Sequence, residues 1–227
     1  MLMQLIRKDL RICRLPILVG VAMVIGAFVL MSTMDGLSGV WRGGSIETWS
    51  VMLKTAGSLS IITSIIALTM LAGTIFAAER ADRSSEFLAY LPPSRAQVLL
   101  SKAIVLGASC VLALCVGGGS IALADWLSVD HSVNSSLQIR MRDVVPIAVV
   151  SIGVGWCASA RFANTGPSVG LGFAAPIVLS AGVLLASYFF GIPNDESFRT
   201  TYAACSTATG LACLVGGSVY FIRRVEP

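Results

Sequence analysis

The chain is a succession of long apolar runs separated by short polar segments. Six runs are long enough to cross a hydrocarbon core as helices, which takes about 20 residues. None of the charged residues falls inside a run, and no run alternates apolar and polar positions as a barrel strand would. The pattern predicts an all-α membrane protein with six transmembrane helices, at residues 15–34, 57–78, 103–124, 144–160, 167–190 and 203–222. The fourth run is the shortest, and we expect its helix to begin earlier, near Asp143.

The composition excludes other classes of protein. Only 12% of the 227 residues are charged and 56% are hydrophobic, whereas a soluble domain carries about 25% charged residues. Such a chain cannot cover itself in water, which excludes a soluble enzyme of ordinary surface, and its hydrophobicity excludes intrinsic disorder. We predict a single transmembrane domain over residues 1–227. We expect its first run to be retained, because that run is too long for the core of a cleaved signal peptide.

The basic residues indicate how the spans are oriented. If the N-terminus lies in the cytoplasm, eleven lysines and arginines lie in inner segments and five in outer ones. This is the asymmetry that the positive-inside rule describes. We therefore predict that both termini are cytoplasmic, and we attribute the modest basic excess to topology, with no nucleic-acid partner.

Residues 1–14 have the pattern of an amphipathic helix lying in the membrane interface. Apolar side chains recur at helical spacing on one side, and cations gather on the other, at Arg7, Lys8, Arg11 and Arg14. Such a helix places its cations against lipid headgroups; a purely topogenic flank is the alternative. Asp9 projects from the apolar side and needs a partner there. We expect that partner to be a basic residue at the cytoplasmic end of another span.

Motifs that could carry chemistry are few. Gly166 to Gly170 matches GxSxG, the nucleophile motif of serine hydrolases, with Ser168 at its centre. That motif needs a strand, a turn and a histidine base, and the single histidine, His131, is predicted on the opposite side of the membrane. The same residues read as GxxxG, so we favour helix packing through Gly166, Gly170 and Gly172. The sequence contains no phosphate-binding loop and no metal-ligand spacing.

The segment between the second and third spans carries more information. Ser84 or Ser85 can cap a short helix that Pro92 and Pro93 must end. Ser94 and Gln97 then have the spacing of a capping box that begins the next long helix. The result is a helix–break–helix element beneath the membrane, with Phe87, Leu88, Tyr90 and Leu91 exposed beside charges. An apolar surface rimmed by charge is typical of a docking element.

This segment resembles the cytoplasmic loop of type-2 ATP-binding-cassette (ABC) exporter permeases. The matching positions, which run without a gap, are Glu79, Ser84, Glu86, Leu88, Leu91, Pro92, Ser94, Arg95, Val98, Leu99 and Lys102. Arg83 stands where the family favours glycine. The length, the six spans and the basic amphipathic N-terminus resemble the same family.

The resemblance implies a membrane subunit that catalyses nothing itself. A separate cytoplasmic ATPase subunit would bind ATP and Mg²⁺, and this chain would hold no cofactor. A second permease subunit, identical or different, would pair with it in the cell membrane, a bacterial inner membrane or a plasma membrane. The residues implied in coupling to the ATPase are Glu79, Ser84, Glu86, Phe87, Leu88, Leu91 and Arg95.

Two other functions fit parts of the sequence. An intramembrane serine protease would use Ser168 as its nucleophile, and a passive membrane anchor or assembly factor would need only the spans. Within the exporter interpretation the substrate is open, and a haem-related branch of cytochrome maturation has a similar layout. The charge-free spans favour an amphipathic substrate.

The topology can be tested by cysteine labelling. A cysteine placed at Ser136 should react with a membrane-impermeant thiol reagent in intact cells, whereas one placed at Ser84 should react only after the cells are opened. The reversed pattern would contradict the predicted orientation of every span.

Overall fold

The computed structural model describes residues 2–37, 46–81, 94–127, 141–190 and 195–224. These residues contain no strand, and six of their helices are long and apolar enough to cross a membrane. The prediction of an all-α protein with six spans is therefore confirmed. The helices are α1 (Leu2–Ile12), α2 (Arg14–Leu37), α3 (Ile46–Thr74), α4 (Ala77–Ala81), α5 (Arg95–Leu127), α6 (Met141–Arg161), α7 (Thr165–Phe190) and α8 (Asp195–Arg224).

The N-terminal helix α1 packs on the beginning of α5. Its inward stripe is Leu5, Asp9 and Cys13, which recur every four residues and are all buried. Backbone hydrogen bonds continue across Cys13 into α2, with Cys13 N donating to the Asp9 carbonyl at 2.8 Å. Met3 and Leu10, on the same predicted apolar side, stay exposed. One part of that side therefore packs against protein, and the placement of the rest in the membrane interface remains a prediction.

Helix α3 is the centre of the bundle. It contacts α2, α5, α6 and α7. Of the residues in its most apolar stretch 61% are buried, compared with 11% in α2 and 6% in α7. Its hydroxyls return to their own helix: Ser64 Oγ donates to the Ser60 carbonyl at 2.6 Å and Thr69 Oγ1 to the Ile65 carbonyl at 2.7 Å. Polar atoms in an apolar bundle are satisfied in this way without a second helix.

Helix α6 is the second buried span, and it packs most extensively on α8. It runs from Met141 to Arg161 with Asp143 in its first turn, so the expectation of an early start is confirmed. Gly153 of α6 faces Gly210 of α8, and a Cβ built on either glycine would overlap backbone atoms of the other helix. Small residues at this crossing let two backbones touch.

The three glycines singled out from the sequence lie on α7 in two different settings. A Cβ on Gly172 would come within 2.8 Å of the Thr69 side chain and 3.1 Å of the Ser151 carbonyl, so this glycine sits between α3 and α6. Gly166 and Gly170 have no atom within 4 Å of the same position and are exposed on the chain's own surface. A packing partner for these two would have to come from outside the described chain.

One end of the bundle gathers α1, the end of α3, α4, the beginning of α5 and the ends of α6 and α8; we call it the α1 end. Phe76 joins several of these elements, with its ring 4.7 Å from that of Trp156 and 4.8 Å from that of Phe221. At the opposite end Lys54 pairs with Asp125 at 2.8 Å. The polar contacts described in the next subsection lie at the α1 end.

The α6–α8 crossing can be tested with two glycines of the same helix. Replacing Gly210 with alanine should lower the unfolding temperature in detergent, because its Cβ would overlap the Val149 carbonyl and overpacking typically costs 1–3 kcal/mol. Gly216→Ala is the matched control, since nothing lies within 4 Å of that position. Equal unfolding temperatures for both variants would show that the helices are not in close contact at Gly210.

Candidate functional site

The site begins where α3 is interrupted. The helix ends at Thr74, residues Ile75 and Phe76 form a turn, and α4 starts at Ala77. Both turn residues are buried. The interruption carries the chain into α4 with Glu79 and Arg80 facing the rest of the bundle. Both residues lie at the beginning of the segment, residues 79–102, that the sequence singles out.

At this interruption the ammonium group of Lys102 is buried among three acceptors. Its Nζ atom lies 2.7 Å from Glu79 Oε2, 3.0 Å from the Ile75 carbonyl oxygen and 3.3 Å from Asp9 Oδ1. A lysine ammonium has three hydrogens to donate, so each hydrogen has an acceptor. The Phe76 ring covers the group, with its centroid 5.3 Å from Nζ. Lys102 is fully buried, and its ammonium group has one acceptor for each of its three hydrogens.

Both carboxylates around Lys102 have a second partner. Ser101 Oγ donates to Asp9 Oδ2, and Lys8 Nζ pairs with Glu79 Oε1. Lys8, Asp9, Glu79 and Lys102 form what we call the charge cluster, in which two cations balance two anions. The expectation that Asp9 pairs with a basic residue at the end of another span is confirmed, and that residue is Lys102.

The cluster is graded in its access to solvent. The side chain of Lys8 is 27% exposed, whereas those of Glu79, Asp9 and Lys102 are only 6%, 4% and 1% exposed. Cys13 is buried beside the cluster. Its burial raises the pKa of the thiol to about 11; the Lys102 ammonium lowers that pKa, and the carboxylates of Asp9 and Glu79 raise it further.

Two arginines attach the same region to the ends of other helices. Arg80 donates to the carbonyls of Ser159 and Arg161, at the end of α6. Arg95 donates to the Ile222 carbonyl at 3.0 Å, near the end of α8. The last carbonyls of a helix lack donor partners within the helix and carry its negative dipole end. Each arginine therefore supplies both missing donors and a favourable charge.

The predicted capping box begins α5. Ser94 N donates to Gln97 Oε1 at 3.2 Å, and Gln97 N donates to Ser94 Oγ at 3.4 Å. This confirms the predicted start of the helix that carries Lys102. Of the residues implied in ATPase coupling, Glu79 and Arg95 lie on either side of residues 82–93, and each is held by contacts with other helices. The others, Ser84, Glu86, Phe87, Leu88 and Leu91, lie outside the described residues.

The other sequence candidates have ordinary surroundings. Arg7, Arg11 and Arg14 are exposed at the α1 end. Ser168 is buried within α7, and its Oγ donates to the Asn164 carbonyl one turn earlier at 3.2 Å. The strand that a nucleophile elbow requires is replaced by helix at this position. His131, the single histidine of the sequence, lies outside the described residues.

An apolar groove of about 540 Å³ runs between α2, α3 and α5. Its few hydroxyls bond within their own helices: Ser32 Oγ to the Phe28 carbonyl at 2.6 Å, and Ser109 Oγ to the Val105 carbonyl at 2.9 Å. Ser64 does the same in α3. The groove therefore presents methyl and methylene groups to an occupant, with its hydroxyl hydrogens already in use.

Arg80 and Lys102 are the residues that reasoning from the sequence did not assign to a site. In the sequence, Lys102 is one of the positions that match the resemblance, and Arg80 is one of the eleven basic residues of the inner segments. A lysine directly before a 22-residue apolar run is a weak signal of burial. The acid inside the apolar face of α1 is the complementary signal.

The chain matches a known protein family over most of its length. A family model described as ABC-2 family transporter protein matches residues 11–180, about three quarters of the chain. No curated protein and no solved structure matches the chain. The matched range includes Cys13, Glu79, Arg95, Lys102 and residues 82–93.

The burial of Cys13 predicts unusually slow alkylation. A pKa of about 11 rather than about 9 leaves roughly a hundredfold less thiolate at neutral pH. At pH 7.5, N-ethylmaleimide should modify Cys13 at least a hundredfold more slowly than a cysteine placed at the exposed Arg11. The rate should still be rising with pH above pH 9, because the thiol is protonated until its raised pKa is reached. Peptide mapping by mass spectrometry measures both rates, and comparable rates would show that the core around Cys13, between α1, α3 and α5, is open.

Proposed function

The chain belongs to the ABC-2 family of transporter proteins and is a multi-pass membrane component of an ABC transporter, and from this we propose that it is the permease subunit of an ATP-driven exporter. In this proposal two permease subunits pair in a bacterial inner membrane or a plasma membrane. Each receives a separate cytoplasmic ATPase subunit that binds ATP and Mg²⁺. The α1 end faces the cytoplasm, as the basic asymmetry predicts.

The observation that carries the proposal is the anchoring of residues 82–93 at both ends. Before this segment, Glu79 is held by Lys8 and Lys102, and Arg80 by the end of α6. After it, Arg95 is held by the end of α8. A displacement of the segment would therefore act on α1, α5, α6 and α8 together. This is the mechanical property required of an element through which an ATPase moves a set of spans.

The source of energy supports a partner ATPase. The six predicted spans contain no Asp, Glu, His, Lys or Arg that could bind a proton or cation at membrane depth. The sequence also lacks the glycine-rich loop and lysine that cradle nucleotide phosphates. Uphill transport through this chain would then depend on ATP hydrolysis by another subunit.

The groove between α2, α3 and α5 supports a substrate that is apolar over part of its length. A solute with many hydrogen-bonding groups would lose water there and gain few partners, which is costly. An amphipathic molecule could place its apolar part in the groove and keep its polar part at the α1 end or the opposite end. Outward movement of such a molecule is the direction implied by the resemblance to exporter permeases.

The coupling segment can be tested by two substitutions. Leu88→Asp should leave membrane insertion intact and abolish co-purification with the ATPase subunit, because a carboxylate would replace an apolar anchor. Truncation of one buried anchor typically costs about 1–4 kcal/mol, or a tenfold or larger loss of affinity. Glu86→Lys should weaken the complex by charge reversal, and by a smaller amount if Glu86 only orients the short helix.

The measurement is recovery of the ATPase on the tagged permease from detergent-solubilised membranes. Glu196→Lys is the matched control, because it makes the same charge reversal on an exposed side chain at the opposite end of the bundle. Full recovery of an active ATPase with both Leu88→Asp and Glu86→Lys would remove the basis for assigning coupling to this segment.

A further inference from the structure

We propose that Lys102 is a positioning residue that joins α1 to the two ends of residues 82–93. In this proposal α1 moves with α4 and α5 as one unit through the ATP cycle. This inference rests on the proposed function and adds a role for two elements, α1 and the α3–α4 turn. The ATPase would contact only residues between Arg80 and Arg95. Lys102 would carry the movement from there to the N-terminal helix.

The geometry gives Lys102 this position. Its three acceptors come from three places: Asp9 on α1, Glu79 on α4, and the carbonyl of Ile75 in the turn that interrupts α3. Lys102 itself belongs to α5. One ammonium group therefore connects four stretches of chain, two of which flank residues 82–93.

The attachment of α1 depends on a narrow face. It packs mainly on α5, and its buried residues are Leu5 and Asp9. Its remaining described side chains are exposed or half-buried. Apolar contacts alone are non-directional and allow two helices to slide, whereas a coordinated ammonium defines one register. The ionic contact of Asp9 with Lys102 is thus the part of the interface that resists sliding.

The pairing of buried charges keeps the four elements together. Separating α1 from α5 would leave Asp9 without Lys102, and separating α4 from α5 would leave Glu79 with Lys8 as the remaining cation of the cluster. A buried charge that loses its partner is strongly destabilising. The outer bond between Lys8 and Glu79 is partly exposed and can exchange with water. The inner bonds of Lys102 cannot exchange in this way while the site stays closed.

Cys13 provides a native probe of this joint. It lies on the same buried stripe as Asp9 and packs in the core with Leu71, Ile75 and Leu106. Its thiol therefore becomes accessible only if α1 and its junction with α2 move away from α3 and α5. The proposal predicts that Cys13 stays protected in the nucleotide-free state and in the state trapped with ATP and vanadate. The quantity that tests it is the ratio of the Cys13 alkylation rates in these two states.

The experiment uses the purified complex of permease and ATPase in nanodiscs, with N-ethylmaleimide as the probe and peptide mapping of Cys13. The wild-type ratio should be close to 1. In Lys102→Met the ratio should rise at least threefold, because the ATPase still moves residues 82–93 while α1 keeps only the outer Lys8–Glu79 pair and the hydrogen bond from Ser101 to Asp9. The Michaelis constant for ATP should stay unchanged, since nucleotide binds on the partner.

A second variant separates positioning from simple stability. Asp9→Leu combined with Lys102→Met removes both members of the inner pair, and apolar replacement of a buried ion pair commonly restores stability. We expect the double variant to unfold at nearly the wild-type temperature and still to show a ratio of at least three. A ratio near 1 in this variant would overturn the proposal, because packing and the outer Lys8–Glu79 pair would then hold α1 without Lys102.

Two further results would contradict the inference and leave the proposed function intact. A wild-type ratio well above 1 would show that α1 leaves α5 in the normal cycle. Loss of the ATPase from both Lys102 variants would show that the cluster forms the docking surface itself. Failure of the proposed function would look different, because the ATPase would then stay bound to Leu88→Asp.

Discussion

The α1 end of this protein depends on a lysine ammonium that is fully buried and is coordinated by three acceptors. Asp9, Glu79 and the Ile75 carbonyl supply them. Each acceptor constrains a different part of the chain: the rotation of α1, the direction of α4, and the turn between Thr74 and Ala77. Buried ion pairs contribute little net stability compared with apolar packing, because desolvation offsets their attraction. Their effect is to select one arrangement, since alternatives leave a charge unpaired.

Much of this architecture could be predicted from local patterns. The spans follow from apolar runs, the start of α5 from Ser94 and Gln97, and the need for a partner from the position of Asp9. The identity of that partner could not be predicted, because Asp9 and Lys102 are 93 residues apart in the chain. Lys102 also stands directly before an apolar run, where a lysine ordinarily extends to solvent. Only the interruption of α3 creates a polar environment at its depth.

The glycines illustrate a second limit of local reasoning. A sequence shows where small residues recur on a helix, and it does not show which of them meets another helix. Gly172 lies against Thr69 and Ser151, while Gly166 and Gly170 on the same helix face open space. The crossing of α6 and α8 at Gly153 and Gly210 stands out only in three dimensions. Close approach is a property of two surfaces, and half of that information lies elsewhere in the chain.

The distance between Asp9 and Lys102 along the chain also sets an order of assembly. Translation adds about 5–20 residues per second, so Asp9 is made roughly 5 to 20 seconds before Lys102. During this time two spans are synthesised and α1 has no inner cation to dock against. The arginines around α1 give it a favourable place at the charged surface of the membrane while it waits. The docking of α1 therefore waits for the third span, whose Lys102 draws the N-terminal helix inward.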